Sequence, residues 1–225
     1  MKRYNYILFD LDGTILDTKP GVLGSVKKAL KELSFPIPSD ERLEGFMGPP
    51  LDKGFSEVCG LDAETTKIAT NIFRRYYENG EMFNAKPYDG IPELLADLKE
   101  AGCRLFVATS KYELFAQIVI KHFGLDRYFD AIAGAPKNIS IPWLKKDSIN
   151  KALEGISDVN RDNTIIVGDR KYDAAGAKSA GISSVGVLFG YGKLDELEAS
   201  GFDKIVEDIA ALRNYLLPDI VGKER

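Results

Sequence analysis

Short apolar runs recur along the chain, and stretches with helical spacing separate them. The runs are residues 6–9, 104–108, 131–133, 164–167 and 184–188, with a weaker last one at 205–206. Their apolar character is continuous rather than alternating, as in strands buried on both faces. Residues 91–101, 113–123, 146–154 and 173–180 repeat apolar positions at helical spacing. Pro92 stands near the start of the first of these, and Gly102, Gly124 and Gly181 stand just past the ends of three. Strands alternating with helices predict an α/β fold with a doubly wound, Rossmann-like parallel sheet.

One block breaks the alternation. From residue 18 to residue 86 no convincing strand is found. Residues 21–33, 39–47, 51–58 and 63–79 have helical patterns, separated by Phe35-Pro36-Ile37-Pro38 and Gly48-Pro49-Pro50. The chain is therefore expected to form a core from residues 1–17 and 87–225, with a helical insertion at 18–86. The tail, residues 219–225, is expected to fray.

Three apolar runs end in residues suited to catalysis. Residues 6–9 lead into Asp10, 104–108 into Thr109-Ser110, and 164–167 into Gly168-Asp169. In a parallel sheet all three ends lie on one edge, where open α/β folds bind their ligands. Neighbouring carboxylates repel unless a cation is shared between them. Asp10 and Asp169 in oxygen-rich surroundings suit magnesium, a hard cation that prefers oxygen ligands. Carboxylates, hydroxyls and lysines around such an ion suit phosphoryl transfer, which rests on positioning and charge neutralisation.

Composition narrows the chemistry further. The 225 residues carry a formal net charge of −4, without the basic excess of a nucleic-acid binder. His122 is the single histidine and lies near the end of a helical stretch, so histidine-based triads and histidine-rich zinc sites are disfavoured. Cys59 and Cys103 lack metal-ligand spacing and are expected to be free thiols. No apolar run approaches the length of a membrane span. The start is too short and polar for a signal peptide, and a cytoplasmic location is the default expectation.

Asp10-Leu11-Asp12-Gly13-Thr14 resembles the first motif of the haloacid dehalogenase (HAD) superfamily in its phosphatase form. Val107-Ala108-Thr109-Ser110-Lys111 is similar to the second motif, and Gly168-Asp169-Arg170-Lys171-Tyr172-Asp173 to the fourth. The third is a lysine near the start of the preceding helix. Lys145 and Lys146 both fit, and Lys145 is preferred from the residues that follow it.

The resemblance implies a magnesium-dependent phosphatase. Asp10 would be the nucleophile and form an aspartyl-phosphate; Asp12 would serve as general acid, then base. Thr109, the backbone N–H of Ser110, and Lys145 would bind the phosphate. Asp10, the Asp12 carbonyl and Asp169 would hold the ion, and Asp173 would act through water or an indirect bond. Lys111, Arg170 and Lys171 are expected at the surface or rim.

The insertion stands where the family places an α-helical cap, which excludes water and favours small substrates. Residues 45–50 are similar to a cap segment of the phosphoglycolate-phosphatase-like branch. Phe46 or Met47 is a candidate for substrate contact, and Arg42, Lys53, Arg74, Arg75 and Lys86 for anion binding; Tyr76 and Tyr77 are expected in packing. The implied partner is a small phosphate ester such as phosphoglycolate or a nucleoside monophosphate, with no nucleic acid or membrane, for a monomer or homodimer. Within the same fold, a sugar phosphomutase, a pyrophosphatase and a non-enzymatic binding module stay open. Asp12 argues against a dehalogenase.

Overall fold

Tyr6–Phe9 forms β1, and the sheet is built around it. The chain next makes β2 (Leu16–Asp17), β3 (Lys86–Pro87), β4 (Arg104–Tyr112), β5 (Ala131–Ala135), β6 (Thr164–Gly168), β7 (Ser183–Val187) and β8 (Lys204–Val206). In this computed structural model, residues 4–137, 143–157 and 159–218 are described. The tail at 219–225, expected to fray, lies outside them. Among the described residues, six strands form one parallel sheet in the order β5-β4-β1-β6-β7-β8. The two-residue strands β2 and β3 pair separately. The sequence pattern showed no strand for them, being too short to carry a period.

The helices are α1 (Lys19–Glu32), α2 (Asp40–Leu43), α3 (Leu51–Lys53), α4 (Ala63–Glu78), α5 (Ile91–Glu100), α6 (Glu113–His122), α7 (Lys145–Ala152), α8 (Lys171–Ala180), α9 (Leu194–Ser200) and α10 (Ile209–Leu216). Among the described residues no helix is long and apolar enough to cross a membrane. One unit comprises Met1–Leu16 with Pro87–Arg225, and a second comprises Asp17–Lys86.

In the first unit, α7 and α8 lie against the sheet through a core of small and branched residues. Leu8, Phe106, Ala108, Ala133 and Ile166 from strands meet Ile149, Ala152, Ala177 and Ala180 from the two helices. The short side chains of α8 allow a close approach: a Cβ on Gly176 would stand 2.6 Å from Lys145 Cγ. Cys103 is buried and Cys59 half-buried, both as free thiols.

The second unit packs α1 against α4. Its core contains a run of rings, with Phe46 edge-on to Phe55 at 5.1 Å and Phe73 stacked with Tyr77 at 5.4 Å. Residues 51–58 do not make one regular helix. They divide into α3 and a wider π-type turn at Gly54–Val58, where the Phe46 ring occupies the space a Cβ on Gly54 would need. Phe46 and Met47, candidates for substrate contact, are both buried in this unit. Of the candidate anion anchors, Arg42 donates to the Val58 carbonyl and Arg75 pairs with Glu32. Lys53, Arg74 and Lys86 are exposed.

Candidate active site

The register of the sheet determines which side chains meet. Phe9 of β1 is level with Val107 of β4 and with Val167 of β6. Asp10 is thus one step beyond paired positions on both sides, beside Ala108 and Gly168, and its N–H donates to the Val167 carbonyl at 2.9 Å. After Asp10 the chain reverses: Gly13 N–H donates to the Leu16 carbonyl at 2.9 Å, with Gly13 at φ +85°. That backbone conformation favours glycine. A Cβ there would also collide with the Asp169 carboxylate.

Asp10, Asp169 and Asp173 each present an oxygen within 4.8 Å of the others. Lys145, the first residue of α7, places Nζ 2.8 Å from Asp10 Oδ1 and 2.8 Å from Asp173 Oδ1, and donates to the Ala108 carbonyl at 3.2 Å. The Asp173 contact lies off the direction of a good hydrogen bond, so proximity and charge hold that pair. Lys146 is exposed. Asp173 Oδ2 accepts from Arg170 N–H at 3.0 Å and so also closes the first turn of α8.

Asp169 does not cap that helix. Its Oδ2 accepts from Tyr191 N–H at 2.7 Å and its Oδ1 from the Thr14 hydroxyl at 3.3 Å. Nothing in the sequence pattern marked Tyr191, although Gly190-Tyr191-Gly192 after β7 was an available signal. A Cβ on Gly190 would collide with the Gly13 carbonyl, and one on Gly192 with the Asp169 carbonyl.

Burial pushes Asp169 up to about 8, and the charges of Asp173 and Asp10 add to it against the Tyr191 N–H and Arg170. Burial likewise raises Asp10, to about 6; Lys145 opposes the rise, and Asp173 and Asp12 add to it. Burial alone would lower Lys145, but Asp10 and Asp173 together hold it above its ordinary value. The cluster is short of positive charge, with three acids around one buried ammonium among the described residues. Its all-oxygen donor set and surplus negative charge fit a hard divalent cation such as magnesium.

Asp12 stands outside the three-carboxylate cluster. Lys111 Nζ donates to both of its oxygens, at 2.9 and 3.0 Å. Lys111 was expected at the surface or rim, yet its side chain is only 9% exposed. The strand period gave no hint of this, because β4 is irregular there. Thr109 is buried; its Oγ1 accepts from Lys111 N–H at 3.2 Å, and its carbonyl accepts from Ser148 Oγ at 2.7 Å. Trp143 Nε1 donates to the same Ser148 oxygen at 2.7 Å, a support with no signature in the motifs. Ser110 is exposed on β4. Arg170 is paired with Glu196 at 2.9 Å, and Lys171 is exposed.

The family described as haloacid dehalogenase-like hydrolase matches residues 7–187. A 5′-nucleotidase of Pseudomonas aeruginosa is 37% identical over 214 residues, 95% of this chain and 96% of the relative. Tyrosine-protein kinase PtkA of Mycobacterium tuberculosis is 35% identical over 192 residues, 85% of this chain and 65% of the relative. Among solved structures, a protein described as a predicted phosphatase from Clostridium acetobutylicum aligns with a TM-score of 0.88 at 39% identity, covering 96% of this chain and 100% of that one. With its carboxylates gathered at the strand ends and its matches running nearly end to end, the chain belongs to the haloacid dehalogenase-like hydrolases, as a phosphatase.

Proposed function

We propose that the chain hydrolyses a small phosphate monoester, with magnesium, through an aspartyl-phosphate on Asp10. The observation that carries this reading is the contrast between two acids two residues apart. Asp10 is buried against Lys145 in the carboxylate cluster, while Asp12 stands outside that cluster, paired with Lys111. Acids in such different surroundings suit different tasks.

In the first step an Asp10 oxygen bonds to phosphorus as the bond to the leaving oxygen breaks. Asp12 gives that oxygen its proton. In the second step water attacks phosphorus, its proton passes to Asp12, and the bond to Asp10 breaks to release inorganic phosphate. Lys145, the Thr109 hydroxyl and the Ser110 N–H bind the phosphoryl oxygens. The Asp10 and Asp169 carboxylates and the Asp12 carbonyl would hold the ion, with Asp173 acting through water or the Lys145 contact. Bound there, the ion supplies positive charge against the phosphoryl oxygens.

Residues 18–86 are read as the helical cap that the family resemblance implies, in a cytoplasmic enzyme. The relative named 5′-nucleotidase supports nucleoside monophosphates as substrates, and the cap-segment resemblance supports phosphoglycolate. The test is phosphate release from a panel of both, with magnesium or with chelator, for wild type and Asp10→Asn. Magnesium-dependent release that disappears in the variant is expected. Release that persists in Asp10→Asn contradicts the mechanism, and no release from any ester by the folded wild type contradicts the activity.

A further inference from the structure

We propose that Lys111 is a positioning residue that aims the Asp12 carboxylate at the leaving oxygen, and that a bulge in β4 seated on Gly134 delivers it. The inference rests on the reading of Asp12 as the proton carrier.

The bulge is visible in the register. Ala108 pairs with Ala133, and the next recorded pair is Tyr112 with Ala135. Over that interval β4 advances by four residues and β5 by two. Surplus residues of this kind bend a strand, redirect its side chains and recur beside active sites. Lys111 lies within the surplus. Its N–H donates to the Thr109 hydroxyl at 3.2 Å, two residues back on the same strand.

Gly134 makes room for this path. A Cβ on Gly134 would stand 2.5 Å from the Lys111 carbonyl oxygen and 2.8 Å from Glu113 Cα. Any side chain at 134 would therefore push the bulge outward. The other side of the bulge is pinned as well. Gly134 N–H donates to Glu113 Oε2 at 2.9 Å, and the same oxygen pairs with Lys151 Nζ at 2.7 Å.

The product of this scaffold is a lysine turned inward, with Nζ on both Asp12 oxygens. An exposed lysine pair of this kind would do little. Here the ammonium is largely removed from solvent, with only 9% of the Lys111 side chain exposed. Two bonds from one donor fix the direction of the carboxylate. The positive charge also offsets the repulsion that would otherwise drive Asp12 away from Asp10, Asp169 and Asp173.

The experiment compares kcat/KM on p-nitrophenyl phosphate, whose leaving group departs without a proton, and on a simple alkyl phosphate, whose leaving group needs one. Lys111→Gln is expected to lose on the order of 10–100-fold on the alkyl ester and less than about threefold on the aryl ester. Lys111→Arg, which keeps the charge, is expected to restore part of that ratio. Asp12→Asn serves as the reference and is expected to discriminate more strongly still. Equal losses on both esters, no loss on either, or no improvement with arginine overturns the positioning role. If Asp12→Asn discriminates and Lys111→Gln does not, the role of Lys111 alone falls. If Asp12→Asn itself fails to discriminate, the reading of Asp12 falls and takes the role of Lys111 with it. Gly134→Ala, which retains the lysine but displaces its backbone, gives an independent check: the same selective loss is expected, and an unchanged ratio in the folded variant contradicts the scaffold.

Discussion

Lys145 shows how much one side chain decides. It is the cation in direct contact with Asp10 and Asp173, and both lie in a site with little access to water. Lys145→Ala is expected to abolish most activity and to cost about 3 kcal/mol in urea unfolding at pH 8, because removing one member of a buried pair strands the other. At pH 5 the cost is expected to be smaller, since a stranded carboxylate can take up a proton. Lys146→Ala should stay within about 0.5 kcal/mol of wild type, as exposed substitutions usually do. A crippling Lys146→Ala beside a benign Lys145→Ala would reverse the assignment. Asp10 and Asp169 could be singled out in the sequence because each comes at the end of a strand-like run, and Asp12 because Gly13 follows it and marks a turn. Lys111 could not, because no local pattern reports a bulge whose cause is a glycine on the neighbouring strand. Tyr191 contributes a backbone N–H, which any residue type but proline would supply.

At the scale of elements, the site depends on how closely α7 and α8 approach. Gly176 faces the Lys145 side chain with no room for a methyl group. Gly176→Ala is expected to destabilise the fold by about 1–3 kcal/mol, as overpacking does, and to lower activity by shifting Lys145. Thermal melting and phosphate release check the two effects, and a variant with wild-type values in both would show that the helices part freely. The main strands were readable because continuous burial leaves a continuous apolar run. Helix starts were less so. α7 begins one residue earlier than its apolar pattern, since Asp147 accepts from Leu144 N–H at 2.8 Å and closes the first turn. α8 begins two residues early because Asp173, assigned to the site, also caps it. The short helices α9 and α10 were not expected at all; with seven and eight residues, they offer too few turns for a clear period.

For the molecule as a whole, the carboxylate cluster ties stability to pH and to metal. Asp10 and Asp169 both titrate above their ordinary value of 3.8 in the folded state, at about 6 and about 8. Between 3.8 and about 8 the metal-free folded chain therefore holds more protons at these two groups than the unfolded chain. Their contribution to stability is greatest on the acid side of this window and is lost as pH rises through the folded values. Metal-free protein is expected to melt at a lower temperature at pH 8 than at pH 5.5. Added magnesium should raise the melting temperature more at pH 8, where the carboxylates hold fewer protons that the ion must displace. A magnesium effect that is larger at pH 5.5 would contradict the assignment of the cluster. A net charge of −4 could not disclose this, because the charge that matters is three acids at one point rather than the sum over the surface.

The most direct test of the whole scheme is to trap the intermediate. The enzyme is mixed with substrate and magnesium, quenched in acid, digested, and its peptides are searched for phosphorylated aspartate by mass spectrometry. Phosphate on Asp10, absent from Asp10→Asn and accumulating in Asp12→Asn with an activated aryl ester, is the expected result. Turnover with no phosphoenzyme at any time, or phosphate on another residue, would contradict Asp10 as the covalent nucleophile.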